Sequence, residues 1–364
     1  MNAMVFAEWL QRQGHRIIRT ESSYWYNGGP GVYQAFPYHA VIEPPEEELA
    51  RLFRTAKVVA ARYSTPLDAP EGLLSYHAIY DSPRYEIKNL RHATRQNVRR
   101  GLANCTVARI PFERLAEEGW DLQVDTLQRQ NRKVNLPADL WRERCLAARD
   151  LKGFEAWGAL VGNRLGASMI TFRMDDWIYL LYQQSHRDFL HLHLNNALAY
   201  TVTSEGIARP GVTGILYGLH SLDAPGRVDE FKFRMGYKAR PVRQRVVIHP
   251  AAAPLVGSLV HRGIRRALLR RPGNPTLSKA EGIIRFYVQG RLPLDEQPVP
   301  VALERFQSGA FDVTRHKPRG DDAGGNGEDL PRSSQPHRST YRNDVSQGAT
   351  ERESFPDVGL ETSS

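Results

Sequence analysis

The chain of 364 residues contains only two cysteines, Cys105 and Cys145. That is too few for a disulfide framework, and the paired thiolates that usually hold structural zinc are missing. A reducing compartment is the natural expectation. No stretch approaches the ~20 consecutive apolar residues of a membrane-spanning helix. The opening MNAMVFAEWLQRQGHRII lacks a charged region ahead of a long apolar run, so it does not read as a secretory signal. These absences predict a cytoplasmic protein, soluble or peripheral at the inner face of the membrane. Acids are also in short supply, 40 against 49 Lys plus Arg for a net charge of +9, and a basic chain expects acidic partners.

The basic excess is concentrated. Residues 84–109 hold seven basic residues against Glu86 alone, and 250–292 hold eight against Glu281 alone, while 318–364 carry nine acids against five arginines. Such local patches point to sites for anions or for a membrane surface. The last 47 residues, rich in Gly, Ser, Pro and acids and without periodicity, read as a disordered acidic tail. The expected organisation is an N-terminal α/β half over 1–118, a C-terminal α/β half over 119–250, a basic helical extension over 251–317 and the tail over 318–364.

Within the two halves, helix-like and strand-like segments alternate, which predicts a mixed α/β fold. FEAWGALVGNRLGASMITFRM reads as two strands about a Gly-Asn turn, and DDWIYLLYQQS as a near-continuous apolar strand leading into a helix over about 189–206. A strand GVTGILYGL, a short helix ending at Met235-Gly236 and a strand ARPVRQRVVIH follow. Each half runs helix, strands, helix, strand, helix, strand, as two copies of one unit would. An arginine-rich helix over about 91–103 closes the first half. At ~100° per residue, Lys88, Arg91, Arg95 and Arg99 share one narrow stripe, either a solvated face or a cationic wall for phosphates.

The basic helix TRQNVRRGL, the strand DDWIYLLYQQS with its helix, the strand end ILYGL and the segment EFKFRMGY together resemble the GNAT acyltransferase superfamily. Residues 20–250 are similar to its tandem branch, the Fem-type (FemAB-like) aminoacyltransferases that build peptidoglycan bridges. That resemblance implies two GNAT-like α/β units in tandem and an acyltransferase acting on an amine, in cell-envelope or polysaccharide metabolism. It places a Phe-Lys pair shortly before a glycine, here Phe231-Lys232 and Gly236. It also implies that strand Trp177–Gln184 offers its backbone to the donor, and that Tyr217 in ILYGL and Phe231 line the substrate. The donor stays open. Acetyl-CoA users cradle pyrophosphate with a Gly-rich turn at a helix start, and the corresponding SHRDFLHLHLNN has no glycine, so an acyl-CoA and an aminoacyl-tRNA both remain.

On chemical grounds an ammonium fixed in a dry cleft would stabilise the oxyanion of acyl transfer, which suits Lys232; taken alone, it is an ordinary solvated helix residue. His220, just after a buried strand, stands where α/β sheets bind ligands and could accept the amine proton. The catalytic candidates are therefore Lys232 and His220. Arg91, Arg95 and Arg99 would hold a phosphate of an anionic or lipid-linked acceptor, or of a tRNA. Trp25 and Tyr26, beside a Gly-Gly-Pro-Gly turn, would stack on a sugar or base if that loop is functional, the alternative being hairpin packing. His186, His191 and His193 lack a carboxylate at ligand spacing, so no metal is expected. Residues 255–271 project with apolar and arginine sides that blur at Leu255, Leu259 and Leu269. They fit a membrane surface or packing on the domain. The other class of function is a non-catalytic RNA- or membrane-binding protein that keeps the fold.

Overall fold

The computed structural model describes residues 2–29, 31–55, 57–130, 137–220, 229–271 and 274–306. Chain order is α1 (Asn2–Arg12), β1 (Ile17–Arg19), β2 (Tyr24–Gly29), β3 (Val32–Phe36), α2 (Glu46–Thr55), β4 (Ala60–Thr65) and β5 (Leu73–Tyr80). Next come α3 (His92–Asn104), β6 (Thr106–Ile110), α4 (Phe112–Arg129), α5 (Ala138–Leu146), β7 (Phe154–Val161), β8 (Arg164–Met174), β9 (Trp177–Ser185) and α6 (Leu194–Ile207). Then follow β10 (Gly214–Leu219), α7 (Glu230–Arg234), β11 (Lys238–Ile248), α8 (Ser258–Arg270), α9 (Pro275–Gln289) and α10 (Val301–Phe306).

The eleven strands among the described residues form one sheet in the order β1-β2-β3-β4-β11-β5-β10-β9-β8-β7-β6. The order shows the tandem directly: pairing β1 to β5 with β7 to β11 in sequence maps the sheet onto itself about a pseudo-twofold between β5 and β11, with β6 as an extra edge. Each unit has an antiparallel meander, a helical crossover (α2 or α6) and a strand parallel to the meander's last, β3 with β4 and β9 with β10, because parallel neighbours need a long connection. The last strand of each unit pairs with the other unit's parallel strand, β11 on β4 and β5 on β10. The fold is thus the expected pair of GNAT-like α/β units, interlocked by exchanged strands. Residues 118 and 119, the expected division, lie inside α4, and β6 before it pairs with β7.

Alternation along the strands feeds two cores. Tyr179, Leu216, Ile79 and Phe172 face α1, α4 and α5, whereas Tyr217, Leu180, Ile215 and Ala78 face α3, α6 and α7. The central strands are apolar on both faces, as strands covered on both sides must be, and that is why they stand out in the sequence. The stretch over 111–149, expected as one helical run, contains α4 and α5, with 131–136 between them outside the described residues. Leu49, Leu52 and Phe53 of α2 cover β1 to β4, and Ile283, Phe286 and Tyr287 of α9 cover β4, β11 and β5. The expected tail lies outside the described residues.

Candidate active site

β9 and β10 pair only over Trp177–Tyr179 and Gly214–Leu216. Beyond Leu216 β10 continues only along β5, with a bulge between Leu216 and Gly218, while β9 continues along β8. The two parallel strands therefore splay at their C-terminal ends, the position where open α/β sheets receive ligands. Tyr217 bridges the splay by donating its hydroxyl to Gln183 Oε1, and Asn195 at the start of α6 donates to Ser185 Oγ at 2.9 Å.

Lys232 is buried at this point, 1% exposed. Its α7 is short and is pinned by Phe231 and Phe233, both in the core, and the chain leaves through Gly236 at φ +87°. The Lys232 Nζ lies 2.8 Å from Asp229 Oδ1 and 5.4 Å from the centre of the Tyr217 ring. Gly218 holds φ +149°, and a Cβ there would come within 3.2 Å of the ammonium. The bare backbone of Gly218 is what leaves room for the charge. Asp229 Oδ2 accepts from the Tyr76 hydroxyl. Burial works against ionising Asp229, but the ammonium and these hydrogen bonds outweigh it and hold the carboxyl below its usual range. Burial and the same carboxylate push the Tyr76 phenol up, so it stays a neutral donor.

His220 stacks on Tyr76 at 4.6 Å and faces Ser75 Oγ through Nδ1 at 3.2 Å. Burial lowers its pKa to about 4, opposed by Asp229 and helped by Arg285, Arg62 and Lys232. His220 is therefore a neutral imidazole at pH 7. From its carbonyl a buried polar chain crosses the sheet: Arg62 donates to it at 3.0 Å and to Gln244 Oε1 at 2.6 Å, and Gln244 donates to Ser64 Oγ at 3.4 Å. Ser64 meets His77 Nε2 at 2.7 Å, His77 Nδ1 meets Arg240 at 3.2 Å, and Arg240 donates to the His39 carbonyl at 2.9 Å. Burial, then Arg240, pushes His39 down to about 4, and His77 lies well below its usual value for the same reasons.

These three histidines make stability pH-dependent. Each has a folded pKa below the unfolded ~6.5, so its contribution is complete above pH 6.5 and is lost as acid protonates the unfolded chain first, down to about 4 for His39 and His220. Each group adds a slope of about 1.4 kcal/mol per pH unit in that window. The urea midpoint should fall steeply between neutral pH and 4.5 and less steeply in a His39→Gln/His220→Gln variant. Parallel pH profiles for the two proteins would refute the assignment.

Of the residues expected from sequence, Lys232, His220, Tyr217 and Phe231 converge on the splay. Arg99 is exposed on α3, away from the buried Thr94, Val98 and Gly101, Arg95 is half-buried on its flank and donates to the Lys88 carbonyl at 3.3 Å, and Arg91 is the residue before its first turn. Lys88, expected on the same stripe, lies in the preceding 3-10 turn. Gly101 lets α3 lie against α6, since a Cβ there would collide with the His193 carbonyl oxygen. Trp25 and Tyr26 are corrected in setting: both belong to β2 and are fully enclosed. Trp25 donates to Thr20 at 2.8 Å and packs edge-on against Tyr63, while Tyr26 packs with Phe36 and Tyr38. Neither ring offers a free face for stacking. Asp229, Tyr76, Ser75 and Gln183 were missed. Asp229 had a signal, the i, i+3 spacing to Lys232, whereas Tyr76 reaches the site from a strand 153 residues away.

Between β9 and α6, residues 187–192 form a 3-10 turn, and His193 takes a left-handed φ of 58°. Phe189 and Leu194 are buried there in the core, and the turn contains no glycine. Among the described residues no group of His, Cys, Asp and Glu is arranged to hold a metal, and no helix is long and apolar enough to cross a membrane.

No protein-family model and no curated protein matches the sequence. Among solved structures the chain is similar to FemX, at 12% identity and TM-score 0.49 over 68% of this chain and 92% of that one. It is also similar to L-PGS from Bacillus licheniformis, at 11% and 0.44 over 74% and 97%. A tandem GNAT protein from the clavulanic acid biosynthesis pathway aligns at 11% and 0.38 over 64% and 81%.

Proposed function

We propose that this protein transfers an acyl or aminoacyl group to an amine acceptor. The observation that carries the reading is Lys232, an ammonium held in a dry site at the mouth of a splayed parallel strand pair. As the amine attacks the donor carbonyl, negative charge grows on the carbonyl oxygen. A fixed cation that needs no reorganisation stabilises it. Asp229 fixes the position of Nζ, and Tyr76 fixes Asp229. The tetrahedral adduct collapses as the donor's thiolate or ribose oxygen leaves with the amine's proton. His220, with its low proton affinity, serves as a neutral hydrogen-bonding partner in this reading, so positioning of the amine does most of the remaining work.

The turn over 187–193, a 3-10 segment without glycine, supports aminoacyl-tRNA over acetyl-CoA as donor. The exposed Arg91 and Arg99, with the half-buried Arg95 between them, suit a phosphate-bearing acceptor of the cell-envelope type or the tRNA itself. The test is to incubate the protein with isotope-labelled aminoacyl-tRNA or acetyl-CoA and a small-molecule cell extract, and to read new amides by mass shift. Labelled amide that disappears when Lys232 is replaced is the expected result. No labelled product from either donor, with native RNA retained on the protein, would point instead to a non-catalytic RNA binder.

A further inference from the structure

The second basic block lies outside the splay and has a different character. α8 packs its inner side on α9: His261 Nε2 meets Glu281 at 2.9 Å, and Ile264, Ala267 and Leu268 are half-buried. Glu281 is further engaged by Arg285 at 3.3 Å, so the one acid of this block is turned inward. The outer side combines two features seldom found together. Arg262, Arg265, Arg266, Arg270 and Arg271 are exposed, with no acid between residues 251 and 280. Leu259 and Leu269 stand beside them, exposed by 76% and 82%, and Leu255, in the 3-10 turn Ala253–Leu255 just before the helix, is exposed by 74%. Leu259, Leu269, Arg262, Arg266 and Arg270 fall on one outward arc of the helix at ~100° per residue.

We infer that this outer face of α8, with the turn that leads into it, docks on an anionic lipid bilayer, with the arginines against lipid phosphates and the three leucines inserted among the acyl chains. Protruding leucines are costly in water and mark an interaction surface. A bilayer accepts both features at once, because its phosphates lie directly above hydrocarbon. Nucleic acid would match the arginines but leave the leucines without a partner. A second copy bound through the same patch would bring five arginines against five. The inference does not depend on the transfer reaction. Of the apolar side drawn from sequence alone (Val256, Val260, Ile264, Ala267, Leu268), Val256, Ile264, Ala267 and Leu268 are half-buried and Val260 is exposed, so docking rests on the arginine side and its neighbouring leucines.

The experiment is sedimentation of the full chain with vesicles of phosphatidylcholine containing phosphatidylglycerol, beside vesicles of phosphatidylcholine alone. Binding should require the anionic lipid and fall as salt rises. Leu255→Ser/Leu259→Ser/Leu269→Ser should lower the partition coefficient by about tenfold or more, and Arg262→Gln/Arg266→Gln/Arg270→Gln by a similar factor. As these side chains are exposed, the unfolding midpoint should not move. A Leu259→Trp reporter should shift its emission to the blue and be quenched by brominated lipid tails. Absence of binding to anionic vesicles, an unchanged partition coefficient in the leucine variant, or an unquenched reporter would each overturn the inference. So would arginine-dependent binding to RNA with no vesicle binding, or a dimer that the leucine variant dissociates.

Discussion

Replacing Lys232 with methionine should abolish transfer and also unfold the protein more easily. The catalytic loss follows from removing the cation that meets the oxyanion, on the order of 10²–10³-fold in kcat, or about 3–4 kcal/mol. The loss of stability has a separate origin. Asp229 is buried, and its charge is balanced by the ammonium 2.8 Å away, so removing one partner strands the other at about 3–5 kcal/mol. The double variant Lys232→Met/Asp229→Asn removes both charges and leaves Tyr76 a hydrogen-bonding partner. It should recover most of the stability and none of the activity. Urea midpoints and turnover on the same preparations separate the two effects. Turnover in the double variant near the level of the native protein would remove Lys232 from the mechanism. A single variant as stable as the native chain would show that the buried pair is not coupled as its geometry implies.

That expectation differs from the one sequence supports, in which Lys232→Met leaves the fold intact, because a lysine on a short helix reads as a solvated residue. The spacing of Phe231, Lys232 and Gly236 is visible in the chain, but the burial of the charge is not. Burial is created by Tyr76, Tyr217 and Gly218, which arrive from β5 and β10. Strands β9 and β10 and the two-unit organisation were legible for the opposite reason: strands covered on both faces are apolar throughout, so the signal is local. β2 was obscured by the same property. Tyr24, Trp25 and Tyr26 are aromatic at consecutive positions, which hides a period of two, and the structure uses both sides, Trp25 with Leu49 and Leu52, and Tyr26 with Phe6 and Phe36.

Helix α3 shows a related limit. Of its basic residues Arg99 is exposed and Arg95 half-buried, but the inward face is made of Thr94, Val98 and Gly101, a contact built on close approach instead of large apolar side chains. A pattern search for a wide apolar stripe finds nothing there, although the packing against α6 is intimate. In α8 and the turn before it, the three leucines that blur the sequence projection are residues the fold leaves outside. Where the pattern was ambiguous, the deciding fact was a neighbouring helix, α6 in one case and α9 in the other.

Phe6→Ala should produce the largest loss of stability among single apolar truncations, without a matching loss in the chemical step. Phe6 is wholly buried, and its ring lies within 5.2–6.2 Å of the ring centres of Trp9, Phe36, Tyr38, Phe154, Phe172 and Tyr179. Phe36 and Tyr38 belong to the first unit and Phe154, Phe172 and Tyr179 to the second, so α1 joins the halves on the face of the sheet opposite Lys232. Truncation leaves a cavity that this rigid cluster cannot close, at about 3–5 kcal/mol, and forfeits aromatic pairs that add on the order of 1 kcal/mol. Phe6→Leu, which keeps more of the volume, should cost less than half as much. Tyr179 ends the paired segment of β9, so some loosening of the splay is expected, seen as weaker substrate binding with kcat within about threefold of native. A midpoint shift equivalent to less than about 1 kcal/mol would mean that the two units are held by their exchanged strands alone.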